Sequence, residues 1–167
     1  MAYYDHFTLA DDVINHLDSL ISNADSFIAS KYVGFVSISA VTVYELAIKE
    51  IFIEFGKKKH KVLGNFTSSF FIRINGRIKT RTIQNEYIKR FGDKYVKRFK
   101  TKKEKAEKKS LREDRISILS SYSNIIEWRN QFAHEGKVPI YVTYAEVKQS
   151  YSAGKKLIDC LAETMVR

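Results

Sequence analysis

Between Ile126 and Gly136 three side chains have the types needed to work on a phosphodiester: Arg129, Asn130 and His134. Imidazole takes or gives a proton most readily near neutral pH, so His134 is the candidate general base or acid for activating a ribose 2′-hydroxyl. A guanidinium is planar and always charged, which suits Arg129 to the charge that builds on phosphorane oxygens. Asn130 can orient the imidazole or donate a hydrogen bond to phosphate. Asn130 and His134 stand four apart and are neighbours on a helix. Arg129 and His134 stand five apart, about 140° around an ideal helix. Either the last helical turn departs from ideal geometry, or a second copy of the motif from another chain completes the cluster.

Glu45 is a further candidate. It lies between Tyr44 and Leu46 in the most apolar stretch of the chain, so it either turns to solvent or meets a polar group. The functional reading has it facing Arg129 or His134 and orienting one of them. From Lys89 to Lys109 the chain carries eleven basic residues against three acids. Lys94, Lys97, Arg98, Lys100, Lys102 and Lys103 are candidate contacts to RNA, with Tyr95 and Phe99 interleaved as possible stacking platforms. A solvated basic face is the alternative. His6, His16 and His60 are scattered, without acids at metal-ligand spacing. No metal site, phosphate-binding glycine loop or thiol-based arrangement is expected.

The elements that must position these residues read as helices. The chain has 167 residues, one Pro and seven Gly, too few turn signals for a sandwich of short strands. A first amphipathic helix is expected from Leu9 through Ile28, and a second, apolar on most sides, from about Lys31 to Phe55. A basic loop from Gly56 to Lys61, a short apolar segment from Phe66 to Ile74 and an Asn75-Gly76 turn follow. A polar helical excursion spans about residues 80–110, with an interruption at Gly92-Asp93. The motif helix runs from Leu111 to His134 and ends at Gly136, a left-handed cap position, with Pro139 beyond. Thr143 and Glu146 have capping-box spacing at the start of the last helix. The expected architecture is all-α, one domain over residues 1–167. It is a bundle of about four main helices with a lysine-rich helical insertion.

The net charge of +10 points to an anionic partner, nucleic acid or a membrane surface. The stretch from Val33 to Phe55 contains Glu45, Lys49, Glu50 and Glu54, which argues against a membrane span. Cys160 is the one cysteine, and the N-terminus lacks the basic and apolar regions of a signal peptide. A cytoplasmic protein is expected.

Arg129, Asn130 and the following Gln131-Phe132-Ala133-His134 resemble the Arg-x4-6-His signature of the HEPN superfamily, in its form with Asn directly after Arg. Glu135-Gly136, Pro139 and the closing amphipathic helix resemble the layout of RiboL-PSP-type HEPN domains. The stretch from Ser37 to Glu45 looks like the family's apolar helix with an embedded acid. The resemblance implies a helical bundle and a homodimer that joins two motifs in one cleft. It implies a metal-independent, cofactor-free endoribonuclease leaving 2′,3′-cyclic phosphate and 5′-hydroxyl ends. It further implies a toxin or anti-phage effector, with a cognate antitoxin or regulatory protein as a partner. Position 136 is Gly, where one toxin subgroup has Tyr two residues after His, so chemistry that needs that Tyr does not carry over. The reading from a different class is a non-catalytic helical adaptor that binds RNA or protein through the basic arm.

Overall fold

The computed structural model describes residues 2–166, which form helices, turns and short connections with no strand among them. After a 3-10 turn at Ala2–His6 come α1 (Phe7–Leu20), α2 (Ser26–Lys59) and α3 (Lys61–Phe71). A three-residue α4 (Thr80–Thr82) runs on into a π turn at Ile83–Tyr87 and a 3-10 turn at Ile88–Phe91. The basic α5 (Asp93–Glu113), the motif helix α6 (Ile118–Glu135) and α7 (Tyr144–Met165) complete the chain.

Helix α2 is the axis of the molecule. Asp25 caps it by accepting from the Ile28 N–H at 2.8 Å. Its middle turns are buried on most sides: Val36, Ala40, Tyr44, Ala47, Ile48 and Phe52 are fully enclosed. It packs against α1, α3, α6 and α7. Three tyrosines from three helices, Tyr44, Tyr122 and Tyr151, form a buried stack, with ring centroids 5.2 and 5.8 Å apart. Burial removes these phenols from water and raises the pKa of each.

Several boundaries differ from the sequence expectation. The first helix breaks at Ile21–Asn23 and the chain turns extended at Ala24, so Phe27 and Ile28 belong to α2. Lys57, Lys58 and Lys59 are the last turn of α2 rather than a loop, where their charge suits the negative end of the helix dipole. Gly56 and Gly64 do not end helices. A Cβ on Gly56 would lie 2.2 Å from Thr67 Oγ1, and one on Gly64 3.0 Å from Lys57 Cα, so both permit α2 and α3 to pack closely. Leu111 falls in α5. The chain reverses at Arg115, with φ at +57°, before Ser117 caps α6. The capping box of Thr143 and Glu146 is present at the start of α7. No helix of the described residues is long and apolar enough to cross a membrane.

Candidate active site

Both ends of α6 are fixed by other elements. Glu107 of α5 accepts from the Ser117 hydroxyl at 2.6 Å and from the Leu119 N–H at 3.1 Å, holding the helix start. At the far end Gly136 adopts φ +66° and donates its N–H to the Phe132 carbonyl at 2.9 Å. Lys31 reaches across from α2 and donates to the Gly136 carbonyl at 2.7 Å. Phe132 lies so close to α2 that a Cβ on Gly34 would come within 2.3 Å of its ring. The motif is therefore seated against the N-terminal half of α2.

Arg129 is half-buried and opens into a groove of about 300 Å³ between α2 and α6. Ile38, Val41, Thr42, Glu45, Leu46 and Ala133 form the rest of its lining. The guanidinium lies against Gly76, where a Cβ would come within 3.3 Å of Arg129 Nη2. Gly76 has φ +69°, a left-handed conformation that a glycine adopts without strain.

The turn that carries Gly76 is held by four side chains. The Gly76 N–H donates to Glu45 Oε2 at 2.6 Å. Lys49 bridges Glu45 Oε1 at 2.8 Å and Asn75 Oδ1 at 3.2 Å. The Tyr87 hydroxyl donates to the Arg77 carbonyl, and the Tyr122 hydroxyl to the Ile78 carbonyl, each at 2.7 Å. Glu45 thus shares the groove with Arg129 and touches the same glycine. It makes no ion pair with Arg129 or His134 among the described residues; its charge is taken by Lys49. Lys49, Asn75 and Gly76 are additions to the site. The Asn-Gly pair is visible in the sequence as a turn, but nothing in it reveals that α2 and α6 close on that turn.

Asn130 is half-buried and His134 exposed, and neither side chain has a hydrogen-bond partner among the described residues. His134 does not line the Arg129 groove. On the regular helix, five residues of separation leave it about 140° around and about 7.5 Å along from Arg129. One chain brings Arg129 and Glu45 together, and Asn130 beside His134, but does not bring the two pairs to one point. The groove continues past Ile38 into a wider apolar depression between α1 and α2, lined by Val13, His16, Leu17 and Phe35 among others. Phe35 and Ile38 are exposed on this face.

The six basic side chains named for RNA contact divide into two groups. Lys94, Lys97 and Lys100 are exposed, Lys100 within 4.0 Å of Glu104. Arg98 donates to the Thr164 carbonyl, Lys102 pairs with Glu163, and Lys103 donates to Gln84 Oε1 over the Phe99 ring. Burial lowers the pKa of Lys103. Phe99 is fully buried and Tyr95 packs edge-on to Phe55. Neither ring is presented as a stacking platform, because α5 turns its apolar stripe into the core. No group of three or more His, Cys, Asp or Glu among the described residues is placed to hold a metal ion.

A family model described as RiboL-PSP-HEPN matches residues 5–167. No curated protein matches the chain. No solved structure matches it either.

Proposed function

The chain belongs to the RiboL-PSP-type HEPN family, and from that premise we propose that it is a metal-independent endoribonuclease acting through Arg129, Asn130 and His134. The observation that carries this reading is a half-buried guanidinium, opening into a groove with room for a phosphate and backed by a turn whose polar groups are already satisfied. Such a charge needs no rearrangement when negative charge develops beside it. In the proposed step, one imidazole takes the proton from a ribose 2′-hydroxyl, and the 2′-oxygen bonds to the adjacent phosphorus. The bond to the 5′-oxygen breaks, and a protonated imidazole supplies that oxygen's proton. The products are a 2′,3′-cyclic phosphate and a 5′-hydroxyl. Arg129 neutralises the phosphorane oxygens, Asn130 orients the imidazole or the phosphate, and Glu45 positions Arg129 through Gly76.

The two proton transfers and the wide separation of Arg129 from His134 on α6 are both met by a homodimer. The exposed apolar face around Phe35 and Ile38 adjoins the Arg129 groove. A twofold contact there would carry a partner's His134 toward Arg129 and provide one imidazole for each transfer. On the family's behaviour, the proposal extends to a toxin or anti-phage role, with a cognate antitoxin or regulatory protein holding the activity in check. The separation of Arg129 and His134 also favours a second reading, a non-catalytic RNA- or protein-binding adaptor.

One experiment divides the two. Total RNA is incubated in EDTA with the wild-type protein and with His134→Ala, and the ends are characterised. Cleavage by the wild type alone, with cyclic phosphate and 5′-hydroxyl ends, is the expected result. Cleavage by both proteins would remove His134 from the chemistry, and cleavage by neither favours the adaptor.

A further inference from the structure

The net positive charge of the chain comes from one stretch. Residues 56–115 hold 21 Lys and Arg against six Asp and Glu, an excess of 15, while the remainder of the chain is net −5. Helix α5 presents this charge in order. Lys94, Lys97, Lys105 and Lys108 lie at spacings of three, eight and three residues, which keeps them on one face of the helix. All four are exposed and make no hydrogen bond or ion pair among the described residues. Their neighbours are engaged: Lys100 with Glu104, Lys102 with Glu163, and Lys109 and Arg112 with Glu113. These four lysines lie within about 21 Å of helix, with Lys97 feeling a nearby acid, Asp93, and they leave a field that a polyanion would complete.

The same face excludes one kind of polyanion binding. Sequence-tolerant binders of single strands offer exposed rings on which bases stack. Of the aromatic residues of α5, Phe99 is fully buried and Tyr95 is half-buried between Phe55 and Arg98, and the exposed line runs Lys94, Lys97, Thr101, Lys105, Lys108. A line of flexible point charges with no ring cannot stack on unpaired bases and is suited first to the phosphate backbone. Double-helical RNA is recognised largely in that way, through backbone and shape.

Helix α2 measures how far this face lies from the motif. Gly34 packs on Phe132, Glu45 sits at the level of Arg129, and Phe55 meets Tyr95 in the first turn of α5. At 1.5 Å per residue the start of α5 is about 15 Å along α2 from Arg129 and about 31 Å from the Phe132 end. A nucleic acid touching both must extend over several nucleotides.

We propose that the Lys94–Lys97–Lys105–Lys108 face of α5 is a docking surface for the phosphate backbone of a double-helical RNA stem, remote from the Arg129 groove. The substrate class is then RNA in which a stem flanks the scissile linkage. Only the cleavage half of this statement rests on the nuclease reading.

Two measurements test it. In the first, anisotropy reads the binding of a 12-base-pair RNA hairpin and of an unstructured RNA of equal length. The wild type is expected to prefer the hairpin, and four phosphate contacts predict a loss of roughly hundredfold in affinity from 50 to 200 mM salt. The variant with all four lysines changed to Gln is expected to lose the preference and most of the salt slope, with unchanged helicity. Equal binding by variant and wild type, preference for the unstructured RNA, or displacement of the hairpin by polyglutamate at equal charge would each overturn the proposal. In the second, a short cleavable RNA is compared with the same RNA joined to the hairpin. The joined substrate is expected to show a KM at least tenfold lower with the wild type, and no such advantage with the variant. An advantage that persists in the variant would overturn the proposal. If the wild type cleaves neither RNA, the nuclease reading fails while hairpin binding still decides the docking surface.

Discussion

The stretch from residue 56 to residue 115 supplies two features of opposite character. In the turn from Asn75 to Ile78, Glu45 holds one N–H, Tyr87 and Tyr122 hold two carbonyls, and Lys49 holds the Asn75 side chain. On α5, four lysines make no hydrogen bond or ion pair among the described residues. The turn has surrendered its freedom before any ligand arrives, so the half-buried guanidinium rests against a surface that does not move. The lysines keep their rotamer freedom and act at a distance through their field, which salt screens. One region is built to position a reacting group and the other to attract and hold a long anion. Changes in the turn should therefore appear in kcat, and changes on α5 in KM and in salt dependence.

The largest effect should come from Arg129→Ala. Removing a preorganised stabiliser of transition-state charge lowers rates by about 10²–10³-fold in comparable sites. Arg129 makes no hydrogen bond or ion pair among the described residues, so Tm should stay within a few degrees of the wild type. A rate within threefold of wild type in single-turnover cleavage would take Arg129 out of the site. Gly76→Ala should come next. It forces a left-handed residue to carry a Cβ, at about 1–2 kcal/mol, and places that Cβ 3.3 Å from Arg129 Nη2. Displacing the guanidinium should lower kcat about tenfold with KM little changed. A rise in KM alone would mean that the turn serves binding and not positioning.

Gly34→Ala breaks the comparison from the opposite side, because it disturbs the seat of α6 without touching either feature. Its Cβ would overlap the Phe132 ring, and overpacking of this kind costs about 1–3 kcal/mol. Thermal denaturation should show the loss, with cleavage falling only as the α2–α6 crossing shifts.

Much of this was legible from residue types. Gly136 with Pro139 marked the end of α6, and the Thr143–Glu146 pair marked the start of α7, because cap chemistry is local and needs no knowledge of the fold. The all-helical class followed from the scarcity of turn signals. The boundary at Ser26 is hidden in the sequence because Phe27 and Ile28 continue the apolar spacing of α1, while the Asp25 cap that restarts the helix lies inside it. The motif residues were legible as types, but their relation was not. That Gly76 backs Arg129 depends on α2 and α6 meeting across a turn fifty-three positions earlier in the chain. The division of the basic residues into engaged and unpaired was equally invisible, since α7 supplies Thr164 and Glu163 from the far end of the sequence.

The smallest effect belongs to Tyr122→Phe, and it isolates one staple of the turn. The Tyr122 hydroxyl is buried and donates to the Ile78 carbonyl at 2.7 Å. Leaving that carbonyl unpaired costs about 1 kcal/mol, which lowers Tm by roughly 2–4 °C for a chain of this size. The loss should itself depend on pH. Burial raises the Tyr122 pKa above the ordinary phenol value of about 10. The stabilisation from keeping this phenol neutral is therefore complete below pH ~10 and disappears as pH rises beyond it, because the unfolded chain ionises first. The phenylalanine variant has no such proton to lose. Denaturant titrations at pH 8 and pH 11 should then show the gap between the two proteins narrowing at the higher value. A gap that stays constant would place the Tyr122 hydroxyl in water and free the turn from α6.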